Sequence, residues 1–284
     1  MTRLLKTRSL EGLDARARRA LYDGQVGLSQ SPELLELVRG VRGVVSGTID
    51  CEDLRRVHEG RTEAQVFELL QAARQRVREH EPRWRAHLAR WLTHAGAPAS
   101  HWLCDVVRLR AVTPRMHTLE RARAAFAVHR DTWYANPQAQ LNVWLPLFDL
   151  EASQSFAFYP DRMTEAIEND SGSFDFDEFT AIAGFQGRSG GRAVYPRALE
   201  TSSLVAHRFR MCQGQALVFS ASHLHGTAPN TSAHTRWSLD VRLVHREDMT
   251  EGRGAANVDN QSTGDASSTY EALSPRSDSE GSAG

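Results

Sequence analysis

Two hydrophobic periodicities divide the chain. Up to about residue 97 the apolar positions recur at helical spacing. Ser31-Pro32-Glu33 supplies an N-cap, a first-turn proline and a first-turn acid, and Leu34, Leu35, Val38 and Val41 follow on one face. Thr62 and Gln65 form a capping-box pair ahead of Val66, Phe67, Leu70, Ala73 and Val77. Trp84, Leu88, Trp91 and Leu92 carry the spacing past Pro82 to Gly96. Aromatic stripes at this period pack onto a core rather than present a ligand surface.

From about residue 101 the period shortens. Trp102 to Val112 is rich in β-formers and ends at Thr113-Pro114. Strand signals return at 138–148, 155–159, 202–209, 216–219 and 237–244. Residues 161–191 are acidic and then glycine-rich, and read as an insertion with a short helix. Beyond Arg246 large apolar residues almost vanish, which predicts a disordered tail over 247–284. The predicted organisation is a helical part over 1–97, a β-rich core over 98–246 and that tail. The fold class is mainly β with helical support, a sandwich or barrel.

Composition narrows the partners. With 34 basic and 35 acidic residues the net charge is -1, so no basic field points to nucleic acid. The first eleven residues lack the apolar core of a signal peptide, and no run approaches the ~20 apolar residues of a membrane span. Three scattered cysteines, Cys51, Cys104 and Cys212, match neither a disulfide framework nor a zinc pattern. The expectation is a cytoplasmic protein acting on a small molecule, with no nucleic acid and no membrane partner.

The candidate chemistry lies in two stretches. In Ala127-Val-His-Arg-Asp-Thr-Trp133, His129 and Asp131 stand two apart after an apolar lead-in. If that lead-in is a strand, both side chains leave the same face. The second stretch offers His223 and His225 after the apolar run 216–219, and the following Gly226 and Asn230 favour His225. Two imidazoles and one carboxylate with coordination positions left open form the facial triad of non-haem Fe(II) oxygenases. Arg236 and Ser238 then share a strand face, a guanidinium fork and a hydroxyl suited to one carboxylate.

Several of these pieces together resemble the phytanoyl-CoA dioxygenase-like family of Fe(II)/2-oxoglutarate oxygenases. They are His129-Arg-Asp131, Phe156-Ala-Phe-Tyr-Pro160, Gly214-Gln-Ala-Leu-Val-Phe219, and His225-Gly-Thr-Ala-Pro-Asn-Thr-Ser232 with Arg236. The resemblance implies a double-stranded β-helix, the jelly-roll barrel of cupin-like proteins. It implies iron on His129, Asp131 and His225, and the distal carboxylate of 2-oxoglutarate on Arg236 and Ser238, with O2 as the oxidant. An aspartate in the first motif, rather than the small residue of halogenating relatives, favours hydroxylation or another oxidative transformation. Desaturation, epoxidation or cyclisation by the same cofactors, and metal or ligand binding without turnover, are the alternatives. Gln140, Asn142 and Trp144 alternate along one strand, so that face is expected to look into the barrel. The first two are assigned to the cosubstrate. Trp144 joins Trp133, Tyr134, His223 and Arg110 as candidates for the substrate pocket.

Overall fold

A computed structural model describes residues 3–119, 122, 125–182 and 195–273. Two short strands, β1 (Arg3–Leu4) and β2 (Arg8–Ser9), precede helix α1 (Ala15–Tyr22) and strand β3 (Gly27–Gln30). Three longer helices follow: α2 (Pro32–Thr48), α3 (Glu63–Glu79) and α4 (Glu81–His94). Their starts obey the local signals. Ser31 accepts from the Leu34 amide, and the Thr62–Gln65 capping box is formed in both directions.

The β-rich part contains β4 (Trp102–Cys104), β5 (Arg108–Val112), β6 (Gln140–Pro146) and β7 (Ala157–Phe158), then helix α5 (Phe176–Ile182). It continues with β8 (His207–Arg208), β9 (Gln215–Ser220), β10 (His225–Gly226) and the long β11 (Arg236–His245). Helix α6 (Arg246–Thr250) and strand β12 (Glu271–Ala272) close the described chain.

The strands form two sheets. The larger runs β12-β4-β11-β6-β9-β3-β2, with β5 also paired to β11; the smaller runs β1-β8-β7-β10. The register of β6 against β11 sets Asn142 opposite Arg242 and Trp144 opposite Asp240. Because side chains alternate, the two faces of this pair differ completely. Leu141, Val143, Leu145, Leu239, Val241 and Leu243 point into the main core shared with α2, α3 and α4. Gln140, Asn142, Trp144, Ser238, Asp240 and Arg242 occupy the opposite face. There Trp144 and Phe219 meet Phe156, Phe158 and Phe209 in a second apolar cluster beside the smaller sheet. The molecule is thus helices on a large sheet on a small sheet, and Asn142, Trp144, Arg236 and Ser238 line the face of the large sheet that the small sheet covers.

Two expectations change. The 1–97 part is not purely helical, because β3 pairs antiparallel with β9 and extends the large sheet. The strand is short and carries Ser29 and Gln30, so its apolar pattern is too brief to register in sequence. The barrel is realised as two apposed sheets, and among the described residues no hydrogen-bonded closure joins them into one cylinder. Within the 161–191 insertion the short helix is α5, and residues 183–191 lie outside the described residues.

The disordered-tail expectation is corrected over 247–273; residues 274–284 lie outside the described residues. This segment docks through polar groups rather than apolar area. Asp248 accepts from Arg18 Nε at 2.6 Å and from the Tyr22 hydroxyl at 3.0 Å. Asp259 accepts from Arg130 Nε at 3.1 Å, Trp133 Nε1 at 2.7 Å and the Ile167 amide at 3.0 Å. Gly254 passes so close to Gln138 that a Cβ would lie 2.5 Å from its carbonyl carbon. Tyr270 and Leu273 complete the contact as buried anchors.

Asp259→Ala removes the carboxylate that answers the buried Arg130 guanidinium and leaves Arg130 Nε and the Trp133 indole N–H without an acceptor. It is expected to cost about 3–5 kcal/mol of unfolding free energy, read from urea midpoints. Arg19→Ala, which breaks only an exposed pair with Asp23, is expected to stay within about 0.5 kcal/mol.

Candidate metal centre

The site begins with a backbone contact. His129 and His225 form an isolated antiparallel bridge: the His129 amide donates to the His225 carbonyl at 2.8 Å, and the reverse bond is 2.9 Å. The apolar lead-in 126–128 is not a strand, contrary to expectation. What brings His129 and Asp131 together is this bridge followed by a 3₁₀ turn over Asp131–Tyr134. The Asp131 amide donates to Ala221 O at 2.9 Å, tying the turn to the end of β9.

Arg130 points the other way and locks the loop from behind. Its guanidinium donates to Asp259, to the carbonyls of Arg162 and Glu165 at 2.8 and 2.9 Å, and to Ser222 O. Gly226 is required by the close passage of the first motif, since a Cβ there would lie 2.9 Å from Ala127 O and 3.1 Å from Val128 Cα. The glycine after the distal histidine is therefore a packing condition of the bridge itself.

Side chains converge accordingly. One donor atom from each of His129, Asp131 and His225 lies within 4.8 Å of the others. The imidazole centroids are 4.6 Å apart, and His129 Nε2 is 3.6 Å from Asp131 Oδ1. Both rings have their Nδ1 engaged by a backbone carbonyl, His129 with Ala127 O at 3.0 Å and His225 with His223 O at 2.9 Å. Those contacts assign the proton to Nδ1 and leave each Nε2 as a lone-pair donor.

Electrostatics point the same way. Burial, with the adjacent His129, holds the His225 imidazole down at about 4, so it is neutral at pH 7. Burial alone would raise Asp131, but Arg242 and the two histidines outweigh it and hold the carboxyl well below its ordinary range. Two imidazoles that each present Nε2, with one carboxylate, suit a divalent transition-metal ion with open positions.

Asp131 is held on both oxygens. Arg242 Nη2 donates to Oδ1 at 3.2 Å; Asn142 Nδ2 donates to Oδ2 at 2.5 Å, with Gln140 Nε2 at 3.4 Å. Gln140 and Asn142, expected at the cosubstrate, are thus placed as supports of the carboxylate. The reason is register: from β6 their amides reach the 3₁₀ turn. Arg242 and Tyr270 were not anticipated in sequence. Arg242 continues the alternation Arg236, Ser238, Asp240, a signal that was there to be extended. Tyr270, which donates to Gln140 Oε1 at 2.6 Å, arrives from a segment whose composition gives no hint of burial.

Arg236 and Ser238 lie on that same face of β11. Arg236 is 5% exposed; its Nη1 donates to Gln154 O at 3.1 Å and its guanidinium carbon stands 5.9 Å from the Trp144 ring centroid. Its Nε, the Ser238 hydroxyl and Asp240 Oδ1 are buried without a hydrogen-bond partner. Burial pulls the guanidinium down to about 10, where it remains charged at pH 7. A buried cation and a buried hydroxyl with unused donors form a place for an incoming carboxylate.

The five pocket candidates divide. Tyr134 packs edge-on to His129 at 5.4 Å, and Trp144 sits among Phe156, Phe209 and Arg236. Arg110, half exposed, pairs with Asp240 at 2.7 Å on the same face. Trp133 is fully buried on Asp259, so it anchors the loop instead of lining a pocket. His223 is also fully buried, with Nε2 3.1 Å from Gly24 O and Nδ1 3.3 Å from Ser220 O. It is turned toward the N-terminal segment, and the alternation that made it a rival to His225 is broken by the turn after β9.

No protein-family model matches the chain, and no curated protein sequence matches it. Similar solved structures include SnoN, a non-haem α-ketoglutarate-dependent epimerase from nogalamycin biosynthesis, at 16% identity over 92% of this chain and 100% of that one, TM-score 0.43. EvdO2 from Micromonospora carbonacea var. aurantiaca is 15% identical over 86% of this chain and 94% of its own, TM-score 0.45. AviO1 from Streptomyces viridochromogenes Tue57 is 12% identical over 80% and 94%, TM-score 0.37. At such distances it is the geometry of the site that has to carry a function.

Proposed function

We propose that the chain is a mononuclear Fe(II)/2-oxoglutarate-dependent dioxygenase of the phytanoyl-CoA dioxygenase-like type, built on a double-stranded β-helix and oxidising a small molecule. The observation that supports this most is one juxtaposition. A two-histidine, one-carboxylate cluster and a buried arginine with unused donors share the space between the two sheets. A metal-storage or purely structural site has no need of the second feature.

In this reading His129, Asp131 and His225 hold the iron. Arg236, with Ser238, binds the distal carboxylate of 2-oxoglutarate and fixes which end faces the metal. When bound, iron and cosubstrate together with O2 supply a two-electron oxidation, hydroxylation of a C–H bond being its simplest form, as 2-oxoglutarate becomes succinate and CO2. The protein's own work is placement. Tyr134 and Trp144 wall the space with aromatic surface, which excludes water and orders the substrate. The Nδ1 protons of both histidines stay on backbone carbonyls, so the rings cannot turn away.

Three experiments test the assignment. Succinate formation from 2-oxoglutarate is expected only with Fe(II) and O2 both present; formation without either, or none under any condition, sinks the enzyme reading. Arg236→Leu is expected to raise the KM for 2-oxoglutarate by roughly 30- to 150-fold, about 2–3 kcal/mol for a lost charge-assisted contact, with Mn(II) affinity unchanged. His225→Ala is expected to abolish Mn(II) binding in a titration followed by electron paramagnetic resonance.

A further inference from the structure

The segment after β11 reaches the metal centre through one hydroxyl. Tyr270 lies just before β12, which pairs antiparallel with β4 through Glu271–Cys104 and Ala272–Leu103. Its side chain is buried, 7% exposed, and donates to Gln140 Oε1 at 2.6 Å. That bond decides which way the Gln140 amide faces. With Oε1 accepting from tyrosine, Nε2 is directed at Asn142 Oδ1, 2.6 Å away, and at Asp131 Oδ2. With its own oxygen so occupied, Asn142 presents Nδ2 to Asp131 Oδ2. Each amide orientation follows from the one before it, and the chain starts at a group that can donate only one proton.

We propose that Tyr270 is a positioning residue for the metal centre: its hydroxyl fixes the amide relay Gln140–Asn142, which holds the Asp131 carboxylate in its ligating rotamer. The inference rests on the metal-centre reading above. Asp131 needs such a hold because Arg242 pulls on its other oxygen. Without the relay, the carboxylate is free to turn into a bidentate pair with that guanidinium and away from His129 and His225. A buried network in which every donor has an acceptor specifies one arrangement; a half-satisfied one does not. The segment 247–273, strapped across the core, would thereby link folding of the C-terminal part to metal affinity.

The test compares Mn(II) dissociation constants, by paramagnetic resonance on the full chain, for the wild type, Tyr270→Phe, Gln140→Leu, the double variant and Tyr22→Phe. Tyr270→Phe keeps the ring and is expected to weaken Mn(II) binding about tenfold or more, the usual consequence of losing an outer support of a metal ligand. The double variant is expected to be no weaker than Gln140→Leu alone, since both act through one relay. Tyr22→Phe is the control for burial: it also deletes a buried hydroxyl, one that donates to Asp248, and is expected to stay within about twofold. Tyr270→Phe within twofold of wild type, equal weakening by Tyr22→Phe, or additive effects in the double variant would overturn the proposal. A wild type that takes up no Mn(II) overturns the metal centre itself, and the relay's role with it.

Discussion

Two amide hydrogen bonds between His129 and His225 hold together everything the site can do. They join segments far apart in the chain, and closing so long a loop is entropically costly. The contact therefore cannot stand alone. It persists because both sides are fixed independently: the distal side by pairing of β10 with β7, the first motif by Arg130 and by the Ala198 amide on Val128 O. Gly226 allows the two backbones to approach, and the imidazoles then face each other with no freedom left in the rings. The site is thus a consequence of main-chain geometry, with side-chain hydrogen bonds refining it.

Charge is the second constraint. Asp131 and Asp105 are buried, and Arg242 and Arg108 answer them: Arg242 lies 3.2 Å from Asp131 and 3.7 Å from Asp105, and Arg108 is 2.6 Å from Asp105. These four groups balance on their own, so a dication bound at His129, Asp131 and His225 adds two positive charges to a poorly solvated space. A dianion entering with it cancels those two charges. On the proposed reading this is why metal and 2-oxoglutarate belong together in the site, and why Arg236 is kept charged but without a carboxylate partner. Burying an ion singly costs several kcal/mol, which concerted occupancy avoids.

What the sequence disclosed, and what it hid, follow from how local each determinant is. The starts of α2 and α3 were legible because a cap and the amide that donates to it lie three residues apart. The cluster of His129, Asp131 and His225 was legible because spacing and a following glycine mark it. The mechanism of convergence was not: 126–128 looks like a strand but pairs through single bonds, a fact settled by residues near 198 and 225. The contact of Gln140 and Asn142 with Asp131 was not legible, because register relative to a distant turn cannot be read from alternation alone. The 247–273 strap was misread for a related reason. Low apolar content argues against burial only where polar groups lack partners, and Asp248, Asp259 and Tyr270 find theirs in α1, in the first motif and in β6.

Strand β11 shows why site and core are not separable. One face, Trp237 to Leu243, fills the layer under the helices, while the other carries Arg236, Ser238, Asp240 and Arg242. A slip of one residue would drive two guanidiniums and a carboxylate into that apolar layer and expose four large apolar side chains to the polar one. Each misplaced charge would cost several kcal/mol and each exposed large side chain about 1.5–3 kcal/mol more. Register is therefore specified from both faces at once. The same property makes the site intolerant of repacking in the helical layer: a core change that shifts β11 moves Arg236 and Arg242 together, and with them the carboxylate that Arg242 grips.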